Sequence, residues 1–61
     1  IKIIIEQSTK VLSSGGVLIL EHGYQQQDEV ESIFKMNYFS KITNLKDFQA
    51  LPRITLGTLE R

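Results

Sequence analysis

The chain has 61 residues, with seven basic and seven acidic side chains, a formal net charge of zero, one histidine and no cysteine. A domain of this length buries only about 60% of the surface its unfolded chain exposes, and without cysteine it has neither a disulfide framework nor a zinc module to staple it. The balanced charge gives no field that would steer it to nucleic acid or to an anionic membrane, and the absence of cysteine fits a reducing, cytoplasmic setting.

The sequence opens at Ile1 without an initiator methionine, inside a helical pattern, which reads as a piece of a longer product. Ile1, Ile4, Ile5, Ser8, Val11 and Leu12 recur at three- and four-residue spacing and predict one apolar helix stripe. The β-branched run Ile3-Ile4-Ile5 would suit a strand, but Glu6, Gln7 and Lys10 fall on the opposite face and decide for helix. Gly15 and Gly16 stop it. Val17-Leu18-Ile19-Leu20 is apolar at every position, the pattern of a strand covered on both faces by helices. This run and residues 3–5 are the longest apolar stretches, far below the roughly 18 residues that cross a bilayer.

Gly23 marks a turn, after which Val30, Ile33, Phe34 and Asn37 share one side of a second helix. Asp28, Glu29 and Glu31 lie toward its start and Lys35 toward its end, in keeping with the helix dipole, and Glu31 and Lys35 form an i,i+4 pair. Residues 38–46 suit a strand near a sheet edge. Residues 47–52 read as a loop, because Pro52 cannot donate to a ladder. Beyond it, Arg53, Thr55, Gly57 and Leu59 alternate with Ile54, Leu56 and Thr58. The expected fold is α/β: helix, strand, helix, then an antiparallel strand hairpin.

The segment Leu12-Ser13-Ser14-Gly15-Gly16-Val17-Leu18-Ile19-Leu20-Glu21-His22-Gly23-Tyr24-Gln25-Gln26 resembles the strand that follows a double-glycine turn in the release-factor glutamine methyltransferase (HemK-like) family. Two glycines before an apolar strand mark the class I methyltransferases generally; Glu-His-Gly followed by an aromatic and Gln narrows the match. Asp47-Phe48-Gln49-Ala50-Leu51-Pro52-Arg53-Ile54-Thr55-Leu56-Gly57 is similar to the family's closing hairpin, with Ala50 where the family has Gly. A positive φ there would strain alanine by roughly 1 kcal/mol.

The resemblance implies the C-terminal part of a class I (Rossmann-like) methyltransferase sheet, residues 1–61 being an incomplete catalytic domain. In that fold the last strand inserts, antiparallel, between its two predecessors. The implied activity is methyl transfer from S-adenosylmethionine to a Gln side-chain amide of a peptide-chain release factor. Family members hold the cofactor with a Gly-rich loop and an acidic residue, and the target amide with Asn-Pro-Pro-Tyr. None of these elements occurs in this sequence, so the resemblance carries over no catalytic or cofactor-binding residue and the chain alone is expected to be inactive.

Ligands of open α/β sheets collect beyond the carboxyl ends of the strands, which makes Glu21, His22 and Gly23 the substrate-side candidates. His22 reads either as a surface imidazole beside a turn or as a general base, and Glu21 either anchors the turn or shapes a pocket. Gln25, Gln26 and Gln27 read as a solvated helix start. The acidic cluster is a helix start without converging metal ligands. Arg53 is placed to pair with Asp47 across the hairpin. The alternative reading is a small independent α/β module that binds protein through the unpaired edge of residues 17–20, an edge that also predicts self-association.

Overall fold

The computed structural model describes residues 2–60. Helix α1 (Lys2–Val11) turns Ile5 and Ser8 inward, and Leu12 just beyond it packs on the core. The Ser8 hydroxyl donates to Ile5 O at 2.7 Å, which satisfies it inside an apolar stripe. The inward stripe is narrower than the sequence predicts, because α1 packs chiefly on the second helix. Ile4 and Val11 remain exposed, and Ile1 lies outside the described residues.

Strand β1 (Val17–Glu21) leads through a 3-10 turn (Tyr24–Gln26) into helix α2 (Gln27–Met36), followed by β2 (Phe39–Lys46) and β3 (Pro52–Leu59). The sheet order is β1-β3-β2, and both pairings are antiparallel. The last strand therefore sits in the middle, as the family resemblance implies. Val17 faces Thr58, and this register is closed by the glycine turn: Gly15 N donates to Leu59 O at 2.7 Å and Leu59 N to Gly16 O at 2.8 Å. Gly15 reaches φ 92°, a conformation that a side chain would strain.

The helices cover one face of the sheet. Ile5, Val30, Phe34, Phe39 and Leu59 form the core, with Leu18, Leu20, Ile33 and Ile42 packed around it. The Phe34 and Phe39 rings tilt at 49° with centroids 5.1 Å apart, a favourable edge-leaning arrangement. The expectation that β1 is covered on both faces is corrected: Val17 and Ile19 are 49% and 64% exposed, because these 61 residues supply helices to the Leu18 and Leu20 face alone. Pro52 also moves from loop to strand. It pairs with Lys46 as the first residue of β3, a position that tolerates a missing N–H.

The predicted alternation of β3 holds, and its buried face is the less apolar one. Thr55, Gly57 and Leu59 point under α2, while Ile54 and Leu56 share the open face with Val17, Ile19 and Leu45. Gly57 is needed where it stands: a Cβ added there would lie 2.8 Å from Phe34 Cδ2. Gly57→Ala is expected to cost about 1–3 kcal/mol by overpacking, read as a lower urea midpoint. An unchanged midpoint would mean that Phe34 shifts without cost.

Candidate functional site

Glu21 ends β1, and the chain turns at His22 and Gly23 before the 3-10 turn. His22 N donates to Arg53 O at 2.8 Å, so the backbone ladder runs one residue past the strand. Side chains two apart in a strand share a face, which sends His22 to the helix-covered side with Leu20 and leaves Glu21 on the open side. The surface-imidazole reading of His22 is thus corrected: the residue is only 7% exposed.

Its ring is held at both nitrogens. Nδ1 lies 2.7 Å from Gly23 O, and Nε2 lies 2.7 Å from the Thr55 hydroxyl on β3. Thr55, with no exposed surface, donates to Asn44 Oδ1 on β2 at 2.6 Å, and Asn44 Nδ2 donates to Glu31 Oε1 on α2 at 3.0 Å. One polar chain therefore links the turn after β1 to both other strands and to α2. The turn is anchored by Gln26, its Oε1 accepting from Gly23 N at 2.8 Å, and among the described residues Glu21 makes no hydrogen bond to it. Gln26 is accordingly a turn anchor where the sequence reads as a solvated helix start.

The second half of the site is the β2–β3 turn. Asp47 Oδ1 accepts from Gln49 N at 2.8 Å and Leu51 N at 3.0 Å, and Arg53 Nε donates to Asp47 Oδ2 at 3.1 Å. The predicted Asp47–Arg53 pair is present. The Arg53 guanidinium also lies 5.4 Å from the centroid of the Tyr24 ring, which holds it between a carboxylate and an aromatic face. Backbone donation from Leu51 chiefly, with help from Arg53 and Gln49, keeps the Asp47 carboxyl below its ordinary 3.8 despite the opposing effect of burial. Ala50 has φ 64°, so the strain expected from alanine at the family's glycine position is real.

These two turns frame a cleft of about 390 Å³ lined by Glu21, His22, Leu45, Lys46, Asp47, Arg53 and Ile54. It lies beyond the carboxyl ends of β1 and β2. Two of the three sequence candidates, Glu21 and His22, line it; Gly23 lies behind them as the acceptor for the imidazole. Thr55, Asn44 and Glu31 escape a reading by motif. Their signal is a threonine at a core position of an alternating strand, which requires a polar partner, and an asparagine in a strand, where that residue is disfavoured.

The chain is 46% identical over 57 residues to the release factor glutamine methyltransferase of Pasteurella multocida (strain Pm70), covering 93% of this chain and 19% of that protein. It is 44% identical over 54 residues to the enzyme of the same name from Haemophilus influenzae, covering 88% of this chain and 18% of that protein. The chain is homologous to the release factor glutamine methyltransferases. The Escherichia coli K12 enzyme of that name is 43% identical over 54 residues, 88% of this chain and 20% of its own length. The chain therefore spans about a fifth of the curated relatives it matches. No family model and no solved structure matches it. Among the described residues no helix is long and apolar enough to cross a membrane.

Two outcomes follow from the hairpin. A depressed carboxyl stabilises the fold above its ordinary value of 3.8 and loses that contribution as pH falls through the lower folded-state value. Asp47→Asn is therefore expected to be less stable than the parent at neutral pH, with the gap closing in denaturation curves below pH 3.8; a gap independent of pH would contradict this. Ala50→Gly is expected to raise stability by roughly 0.5–1 kcal/mol, relief of the left-handed strain outweighing the added freedom of the unfolded chain, and a lower melting point would refute it.

Proposed function

We propose that residues 1–61 form the C-terminal part of the catalytic domain of a protein-(glutamine-N5) methyltransferase, which moves a methyl group from S-adenosylmethionine to a Gln side-chain amide of a peptide-chain release factor. The observation that carries this reading is the placement of the Glu21-His22-Gly23 turn and the Asp47–Arg53 hairpin on one cleft at the end of a sheet whose last strand is central. The names of the relatives support the same reaction.

This chain's part is support and substrate approach. Its residues do not fit the cofactor on their own. The Gly15-Gly16 turn has spent its amides internally, Gly15 N on Leu59 O and Gly16 N on Ser13 O, and offers none to a ligand. An amide nitrogen is a weak nucleophile, and aligning its lone pair with a methyl sulfonium requires donors and acceptors beyond those in the cleft. Glu21 is the side chain best placed to meet an incoming peptide. It is exposed, and among the described residues its carboxylate makes no hydrogen bond or ion pair. The cytoplasm, where release factors work, is the setting that goes with this activity.

A second reading draws on the free outer edge of β1 and the open apolar face with Val17, Ile19 and Leu45: a small interaction module, or self-association of the 61-residue chain. The two readings part on activity. With the complete polypeptide that carries this chain, methyl-labelled S-adenosylmethionine and a release factor, label is expected on glutamine, and Glu21→Ala is expected to lower kcat/KM roughly tenfold, about 1.4 kcal/mol. Folded polypeptide that binds the cofactor and transfers no label would overturn the proposal. In calorimetry the 61-residue chain alone is expected to give no heat with micromolar S-adenosylmethionine, and clear binding would contradict the account of its glycine turn.

A further inference from the structure

The polar chain beneath the cleft has acceptors at both ends. At one end is the Gly23 carbonyl, 2.7 Å from His22 Nδ1. At the other is the Glu31 carboxylate, 3.0 Å from Asn44 Nδ2. Between them are two more links, His22 Nε2 to Thr55 Oγ1 at 2.7 Å and Thr55 Oγ1 to Asn44 Oδ1 at 2.6 Å.

Each of these four links needs one hydrogen. A neutral imidazole carries one, a hydroxyl carries one, and a primary amide directs donors from its nitrogen side and accepts on its oxygen side. The neutral members therefore supply three hydrogens to four links. Glu31 fixes the direction: facing a carboxylate, Asn44 must present its nitrogen, which turns its oxygen toward Thr55. The Thr55 hydrogen is then committed to Asn44, and only a lone pair is left for His22 Nε2. With Nδ1 facing a carbonyl, both ring nitrogens have to donate.

We propose that this chain stores one proton beyond the complement of its neutral members, and that His22 carries it as a buried imidazolium. The imidazole receives it because both of its ring nitrogens face acceptors, the Gly23 carbonyl and the Thr55 oxygen. A buried charge is tolerated when it is fully hydrogen-bonded, and here both N–H groups have partners at 2.7 Å. The other charged groups around the ring are Glu21 on β1, Lys46 at the end of β2, Asp47 in the turn and Arg53 on β3, all lining the same cleft, with Glu31 reaching the chain from α2. Asp47 and Arg53 are paired with each other. Glu31 is thus the distant counter-charge that the chain connects to His22, and the cleft floor beside Glu21 is cationic.

The proposal is independent of any enzymatic activity. Its test is the ring 15N spectrum of His22 in protein labelled at histidine, assigned by its loss in His22→Gln and recorded at roughly pH 7.5, where a free imidazole is mostly neutral. One-bond N–H couplings are expected at both ring nitrogens. Glu31→Gln should reverse the chain: the new amide at position 31 donates to Asn44, Asn44 turns its nitrogen to Thr55, and Thr55 donates to Nε2. The Nε2–H signal is then lost while Nδ1–H stays, although the substitution lies three side chains away. A single protonated nitrogen in the parent protein overturns the proposal, and so does a doubly protonated ring that persists in Glu31→Gln.

Discussion

The insertion of β3 between β1 and β2 is the constraint on which the other features depend. It is the last of the three strands in sequence and the central one in space, so the pairings of this sheet form only once β3 is in place. Such pairing is non-local and costs loop-closure entropy before contacts return it. The inward residues of β3 are graded to fit beneath α2. Leu59 fills the core beside Phe39, Gly57 yields to the Phe34 ring, and Thr55 reaches sideways to both neighbouring strands.

The site inherits its geometry from that strand. Arg53 at the start of β3 receives the His22 amide on its carbonyl and holds Asp47 with its guanidinium, so one residue ties the two turns that frame the cleft. A one-residue slip of β3 would exchange the two faces, carrying Thr55 to the open side and Ile54 beneath α2. The polar chain from Gly23 to Glu31 would then be broken at its middle. Because it ties the turn after β1 to β3, β2 and α2, this chain also fixes register in a sheet whose open face is apolar and poorly discriminating.

Element types were legible where pattern and chemistry agree. The glycine stop after α1, the dipole-matched α2, the alternation of β3 and the Asp47–Arg53 pair all follow from local sequence. Coverage was not legible. Val17-Leu18-Ile19-Leu20 reads as buried on both faces because every residue is apolar, yet apolarity reports the preference of a strand, and these residues provide helices to one face alone. The depth of His22 was hidden for a related reason: a histidine beside a glycine turn looks solvated until Thr55, 33 positions on, and the links behind it, 11 and 13 positions long, are brought together by the sheet. The bulge in β2 between Ser40 and Thr43, with Lys41 at φ 51°, has no turn residue to announce it.

The resemblance to glutamine methyltransferases and the physical reading meet at the carboxyl end of β1, where the family-like Glu-His-Gly turn is underlain by a polar chain that motif reading does not reveal. Both rest on β3 being central. Native-state hydrogen exchange tests that most directly. Amides of residues 55–59 are expected to exchange slowest, and those of β1 and β2 to open with them or before them. Protection of β1 and α1 while β3 exchanges at the rate of an unfolded chain would contradict the account.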